Sequence, residues 1–328
     1  MSHIRRIFVA VKDLEAKAHP AALKAAQLAR AWGAELHLFH CLAAPLYDDL
    51  CAQGDQTFEG LERDLRHRAQ QRLELIADQL RKHSIKVTVS AEWDYPVYEA
   101  IVRGAIRLNA ELIVVSRHAG RHIAPRMLRM TDWELVRLSP IPLLLVKDTH
   151  AYRHPVVLAA VDPTHAFAKP LKLDTEILRM SRAVSEGLRG TLHAVHAYAR
   201  LPSAAGVMTA SLFEKLERKQ LRVAKARMTH ELRSTRIAAA HRYLIASDPV
   251  NAIAQAARKS HSAIVVMGAI SRSGLKTLFI GNTAESILDE LGCDVLVLKP
   301  LKFRNRVPVA TRGAKLILSS QLGLTGFM

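Results

Sequence analysis

Hydrophobic and polar positions along this chain write one pattern twice. Short continuous apolar runs, Ile7 to Val11 and Val156 to Val161, each end in a polar turn and predict buried strands. Each is followed by an alanine- and leucine-rich stretch of helical period, Pro20 to Trp32 and Leu171 to Leu188, and glycines at Gly33 and Gly190 mark the expected helix ends. Second strands follow with a shared polar imprint, ELHLFHC at Glu35 to Cys41 and TLHAVHA at Thr191 to Ala197. A long basic helix comes next in both halves. Third strands are predicted at Lys86 to Ala91 and Ile237 to Tyr243, then helices led by Pro96-Val97 and Pro249-Val250. Fourth strands at Leu112 to Val115 and Ile264 to Met267 lead through loop and helix to closing strands at Leu143 to Val146 and Val295 to Leu298. The offset between halves stays near ~150 residues throughout, the mark of an internal duplication.

Strands that alternate with helices imply parallel pairing through right-handed crossovers, hence an α/β fold of two doubly wound five-stranded sheets. Ligands of such sheets sit outside the carboxyl ends of the strands. That edge carries Lys12 and Asp13 in the first half, and Asp162 and the loop from Gly268 in the second. The domains are read as 1–150, 151–301 and a basic, apolar tail at 302–328, with a polar linker at Asp148 to His154. Terminal disorder is the default expectation for the tail, and its alternative is contact with a membrane surface or partner groove.

With 328 residues and 49% hydrophobic content the chain supports two packed cores. No apolar stretch approaches the ~20 residues of a membrane helix, and the run after the N-terminus is too short for a secretory core, so a cytoplasmic protein is expected. Three cysteines, Cys41, Cys51 and Cys293, follow no metal or disulfide spacing and read as free thiols. The net charge of +17 is spread along helix faces, and aromatics make up 5%. Solvated helices explain this better than specific nucleic-acid binding, which needs stacking platforms.

Chemistry concentrates at the loop from Gly268. A strand that enters a helix through small residues presents backbone N–H groups to an anion, and the helix dipole adds to the attraction. The spacing matches neither GxGxxG nor GxxxxGK[ST]. The pairs His37/His40 and His193/His196 stand three apart in strands and so face opposite ways, which rules out chelation of one ion. Asp94 and Glu99 offer no defensible paired-carboxylate spacing, and no nucleophile elbow or zincin motif is present. Trp93 to Tyr98 form an aromatic patch at a strand end, read as packing, with an apolar ligand cavity as the alternative.

Loop and duplication together resemble the universal stress protein family, and more closely its tandem, two-domain E-type members. The resemblance rests on Gly268, two residues, Ser271, nine residues, Gly281, Asn282, and on the runs GNTAESILDELGCDVLVLKP and TDWELVRLSPIPLLLVKD; it covers roughly residues 5 to 300. It implies an adenine-nucleotide alpha-hydrolase-like fold, with closing strands that pair the two domains as a pseudo-dimer. It further implies a non-catalytic or at most weakly hydrolytic stress-response protein whose second half binds an adenine nucleotide, ATP, as a sensor or switch. Residues carried over to that site are Asp162 for adenine, Gly268, Ser271, Arg272, Gly274 and Gly281 along the phosphates, and Asn282 and Thr283 at the helix entry. Ser271 and Asn282 depart from the family's glycine and Ser/Thr. In the first half Lys12 replaces the aspartate, and alignment through Glu134 and Glu285 sets Arg117 against Gly268. Arg117, His118, Arg121, His122, Arg126 and Arg129 cluster there, so side chains rather than backbone would hold an anion, or the half serves only as a pairing partner. The alternative reading for the whole chain is a scaffold or small apolar-ligand binder without nucleotide, with homo-oligomers compatible with either.

Overall fold

The computed structural model describes residues 4–42, 58–117, 125–164, 171–199, 210–235, 237–269, 287–301 and 303–311. They group into two compact units, drawn from Met1–Ala151 with Arg304–Met328 and from Tyr152–Phe303.

Unit 1 runs β1 (Arg6–Ala10), α1 (Pro20–Trp32), β2 (Glu35–Leu42), α2 (Phe58–Arg81), β3 (Val87–Trp93), α3 (Val97–Arg107), β4 (Leu112–Ser116), α4 (Pro125–Leu138) and β5 (Leu143–Val146). Its strands are all parallel in the order β3-β2-β1-β4-β5. Unit 2 repeats the plan with β6 (Val156–Ala160), α5 (Leu171–Gly187), β7 (Thr191–Tyr198), α6 (Ala210–Glu231), β8 (Arg242–Ala246), α7 (Pro249–Ser260), β9 (Ile264–Gly268) and β10 (Asp294–Leu298). Its order is β8-β7-β6-β9-β10, again parallel. The doubly wound, duplicated fold expected from the apolar runs is therefore present. Side chains such as Phe8, Leu112, Ile113 and Leu158 lie in the sheet cores with no exposed surface. Each removes apolar area worth ~1.5–3 kcal/mol from water.

Local differences have local causes. The third strand of unit 2 starts at Arg242, not Ile237, because Ala239–His241 form a 3-10 turn and the ladder with β7 begins only at Ala194 opposite Arg242. Gly33 ends α1 as expected, at φ 66°, with its N–H donating to the carbonyl of Ala29. Gly190 does not play that part. Arg189 takes the left-handed conformation at φ 53°, while a Cβ on Gly190 would stand 2.0 Å from the carbonyl oxygen of Pro155. Glycine is needed there for the approach of two backbones, and the N–H of Thr191 donates to that same carbonyl at 3.0 Å.

The described part of the tail is held in place, against the default of disorder. Val307 is 5% exposed, and the Arg103 guanidinium donates to the carbonyl of Pro308 at 3.1 Å. Arg103 also draws Asp94 and Glu99 together, at 2.6 and 3.1 Å, within a buried cluster. The sequence held the i, i+4 spacing of Glu99 and Arg103, yet their joint burial depends on residues distant in the chain. Trp93 packs with Leu61, Leu42 and Leu65, so the aromatic patch is at that point a strand-end packing cluster. Cys41 donates to the carbonyl of Asp94 at 3.1 Å, and burial, reinforced by the Asp94 charge, pushes its thiol up to about 12. Such a thiol stays protonated and inert. Among the described residues no helix is long and apolar enough to cross a membrane.

Candidate functional site

Parallel pairing decides what meets at the carboxyl edge of each sheet. In unit 2, Ala159 of β6 stands opposite Val266 of β9, so two further steps bring Val161 level with Gly268 and leave Asp162 just above it. Sequence-distant residues are thereby placed on one edge at the point where the crossovers diverge, the usual ligand crevice of such sheets. Of the residues singled out from the sequence, Asp162 and Gly268 are brought together. Ser271, Arg272, Gly274, Gly281, Asn282 and Thr283 lie outside the described residues.

Asp162 is 6% exposed and firmly held. Its N–H is shared between the two carboxylate oxygens of Asp174 on α5, at 3.2 and 3.1 Å. Its own Oδ1 accepts from the Thr164 hydroxyl at 3.0 Å and lies 4.0 Å from Nδ1 of His196. Asp174 was not singled out from the sequence; an acid in the first turn of α5 was the available signal. Between the end of β7 and α6 opens a cavity of about 300 Å³, lined by Thr164, two residues after Asp162, and by Tyr198, Ala199, Leu216, Val223 and Ala224, with Lys219 and Gln220. Arg227 of α6 donates to the carbonyl of Thr164 at 3.3 Å.

The histidine pairs serve the strands. His40 and His196 occupy equivalent positions, and their Nδ1 atoms lie 2.8 and 3.3 Å from the carbonyl oxygens of Val11 and Val161, the residues immediately before Lys12 and Asp162. Contact with a carbonyl places the proton on Nδ1 in both. His37 bonds instead to Thr88 and Ser90, at 2.8 and 2.7 Å. His193 stacks on His241 with ring centroids 4.0 Å apart and meets the Tyr243 hydroxyl at 3.2 Å. Members of a pair thus face different surroundings, as opposite strand faces require.

The edge of unit 1 has other chemistry. Lys12, in the position of Asp162, forms a buried ion pair with Asp132 of α4. The ladders place Ser116, not Arg117, level with Gly268, because Ser116 and Gly268 pair with Val146 and Leu298, the last residues of β5 and β10. An alignment through Glu134 and Glu285 is one residue out from the register that the ladders set. Arg117 follows, its N–H bonded to the carbonyl of Val146 at 2.7 Å and its guanidinium 5.7 Å above the Trp133 ring. A cavity of about 360 Å³ opens here, with Lys12, Asp13, His19, Arg117 and Lys147 in its wall. Lys147 and His19 escaped the sequence reading, although each directly adjoins a predicted element. His118, Arg121 and His122 lie outside the described residues, as do the side chains of Arg126 and Arg129.

Comparison with known proteins agrees with this architecture. Among curated relatives, universal stress protein E of Photorhabdus laumondii is 25% identical over 229 residues, covering 69% of this chain and 73% of the relative. Universal stress protein E of Escherichia coli K12 is 25% identical over 228 residues, covering 68% and 71%. A solved protein of unknown function from Pseudomonas aeruginosa PAO1 superposes with a TM-score of 0.66 at 25% identity, over 91% of this chain and 93% of that one. A universal stress protein from Archaeoglobus fulgidus shares the fold with a TM-score of 0.59 at 16% identity, over 89% and 98%. The model of the universal stress protein family matches residues 3–147 and 175–299, once in each half. The chain belongs to the universal stress protein family, as a tandem member similar to universal stress protein E.

Proposed function

We propose that this chain is a stress-response protein of the cytoplasm whose second unit binds an adenine nucleotide and acts as a switch rather than as a catalyst. The observation that carries the reading is the register that sets Asp162 beside the end of β9 at Gly268. A carboxylate at that edge accepts from an exocyclic amino group, and the apolar cavity flanked by Thr164 and Tyr198 has walls suited to a planar base. The glycines Gly268, Gly274 and Gly281, with Ser271, Arg272, Asn282 and Thr283, would run along the phosphates. Titration calorimetry of ATP against the full chain, Asp162→Ala and Gly281→Val tests this. Saturable binding lost in both variants supports it, and absence of heat at millimolar ATP removes it.

A second reading has its own support. Unit 1 has a cavity between the end of β2 and α2, at about 570 Å³, with Leu14, Leu42, Leu65, Ala69 and Leu75 in its wall beside Glu15, Arg68, Gln71 and Arg72. Apolar residues on the strand-facing side of both cavities favour a small, largely apolar ligand without nucleotide. Mass spectrometry of whatever copurifies with the denatured protein separates the two, since a nucleotide and an apolar molecule differ in absorbance and mass.

A further inference from the structure

We propose that the outward face of α6 docks on an anionic phospholipid surface, with its cations on the headgroup phosphates and its exposed aliphatic side chains between them. The inference does not depend on the nucleotide reading of unit 2. It starts from the burial of this 22-residue helix, in which only Ala224 and Met228 are buried between Ser211 and His230. Leu212 and Val223 are 45% and 44% exposed, and Leu216 is half-buried. Scattered leucines at a surface are ordinary; their placement among cations is what carries the argument.

Helical period decides which residues share a face. Leu212, Lys215, Leu216, Lys219, Arg222 and Val223 follow the i, i+3, i+4, i+7, i+10, i+11 spacing and so form one stripe along α6. Glu214 and Glu217 fall on other faces, which leaves the stripe without an acid. The long helix of unit 1 is also basic, but it is compensated: Arg66 pairs with Glu62, Arg72 with Glu15, and Arg81 with Glu74 and Asp78. On α6, Arg218 pairs with Glu214, off the stripe. Lys215, Lys219 and Arg222 make no ion pair among the described residues. Like charges three and four residues apart on a helix repel one another, so this face carries a local cost that an outside polyanion would relieve.

The character of the stripe selects among polyanions. A second copy of the chain presents the same cations and a net charge of +17, so it does not answer this face. Single-stranded nucleic acid calls for aromatic platforms, and the stripe has none. A phospholipid surface offers both things the stripe needs, a phosphate layer for Lys215, Lys219 and Arg222 and the hydrocarbon boundary beneath it for Leu212 and Val223. Lysine and arginine stems lie along apolar surface while their heads stay at the phosphates. Leu216 and Val223 also line the cavity at the end of β7, so apolar surface continues inward from the stripe.

The test is co-sedimentation of the full chain at low salt with vesicles of equal parts phosphatidylglycerol and phosphatidylcholine, and with vesicles of phosphatidylcholine alone. Binding is expected to the mixed vesicles only, and to fall as salt is raised, because screening shortens the reach of exposed charges to ~10 Å at 0.1 M. Lys215→Gln/Lys219→Gln/Arg222→Gln keeps good helix formers at exposed positions and should weaken binding about fivefold per cation, about a hundredfold in all. Leu212→Ser/Val223→Ser keeps every charge and should weaken it several-fold. Arg63→Gln/Arg68→Gln/Lys82→Gln removes the same charge from exposed positions around α2 and should bind as the parent chain does. No binding to mixed vesicles, equal binding to phosphatidylcholine alone, unchanged binding in either α6 variant, an equal loss in the α2 variant, or tighter binding of an oligouridylate than of the vesicles would each overturn the proposal.

Discussion

Lys12, following β1, and Asp132, on α4, form an ion pair whose side chains are only 9% and 7% exposed. Two charges so withdrawn from water depend on each other, because either left alone keeps its desolvation cost without compensation. Lys12→Met and Asp132→Leu should each destabilise unit 1 by ~3–5 kcal/mol, while the double variant should recover much of that loss. Urea unfolding of the three variants checks this; additive losses would refute the coupling.

Gly190 and Gly33 should respond differently to the same substitution. Gly33→Ala meets nothing within 4 Å and suffers only its φ of 66°, a cost of ~1–2 kcal/mol. In Gly190→Ala a Cβ would fall 2.0 Å from the Pro155 oxygen, forcing the start of β6 away from the start of β7. The loss should exceed that of Gly33→Ala, reaching ~3 kcal/mol or more. Comparison of the two midpoints in urea is the measurement, and equal midpoints would contradict it.

Two imidazoles on strands, His37 half-buried and His193 buried, make stability depend on pH. Burial, with Arg107 adding to it, pushes His37 down to about 4, and burial with His241 does the same for His193, also to about 4. In the unfolded chain both take up protons near 6.5. Between those values the unfolded state binds more protons, so stability is fully present above 6.5 and falls as pH drops toward 4. Thermal melts across that window should show the decline, and His37→Gln/His193→Gln should flatten it. An unchanged slope in the double variant would remove these residues as the cause.

The tail offers a paired control. Val307 is 5% exposed and Val309 is 91% exposed, two positions apart on the same segment. Val307→Asp should destabilise by ~2 kcal/mol or more, because an unpaired carboxylate would be buried, whereas Val309→Asp should stay within ~0.5 kcal/mol. Similar values for both would show that the segment is not docked in solution.

How far the sequence carried the fold depends on which contacts are local. Strands such as Leu143–Val146, buried at every position, announce themselves as apolar runs, and duplication supplied a second copy of each inference. Pairing register was harder to read. It moved Arg117 off the level of Gly268, because a ladder is set by contacts between strands while helix alignment only counts residues. The bond from Arg103 to Pro308 spans 205 residues, and no window along the chain contains both. Asp162 was legible from its place after an apolar strand, whereas the service of Asp174 to its backbone needed the fold. Lys147 and His19 join a cavity wall only once three strand ends and a helix start have been assembled.

The imidazoles of His40 and His196 each grip the carbonyl of the residue that directly follows a central strand. Beyond that grip the chain carries a lysine in one unit and an aspartate in the other. The scaffold therefore behaves as a socket with an interchangeable pin: backbone position is set by the histidine, and the sign of the charge presented is chosen separately. Exchanging Lys12 and Asp162, with their immediate partners, amounts to rewiring the two sockets while leaving both sheets as they are.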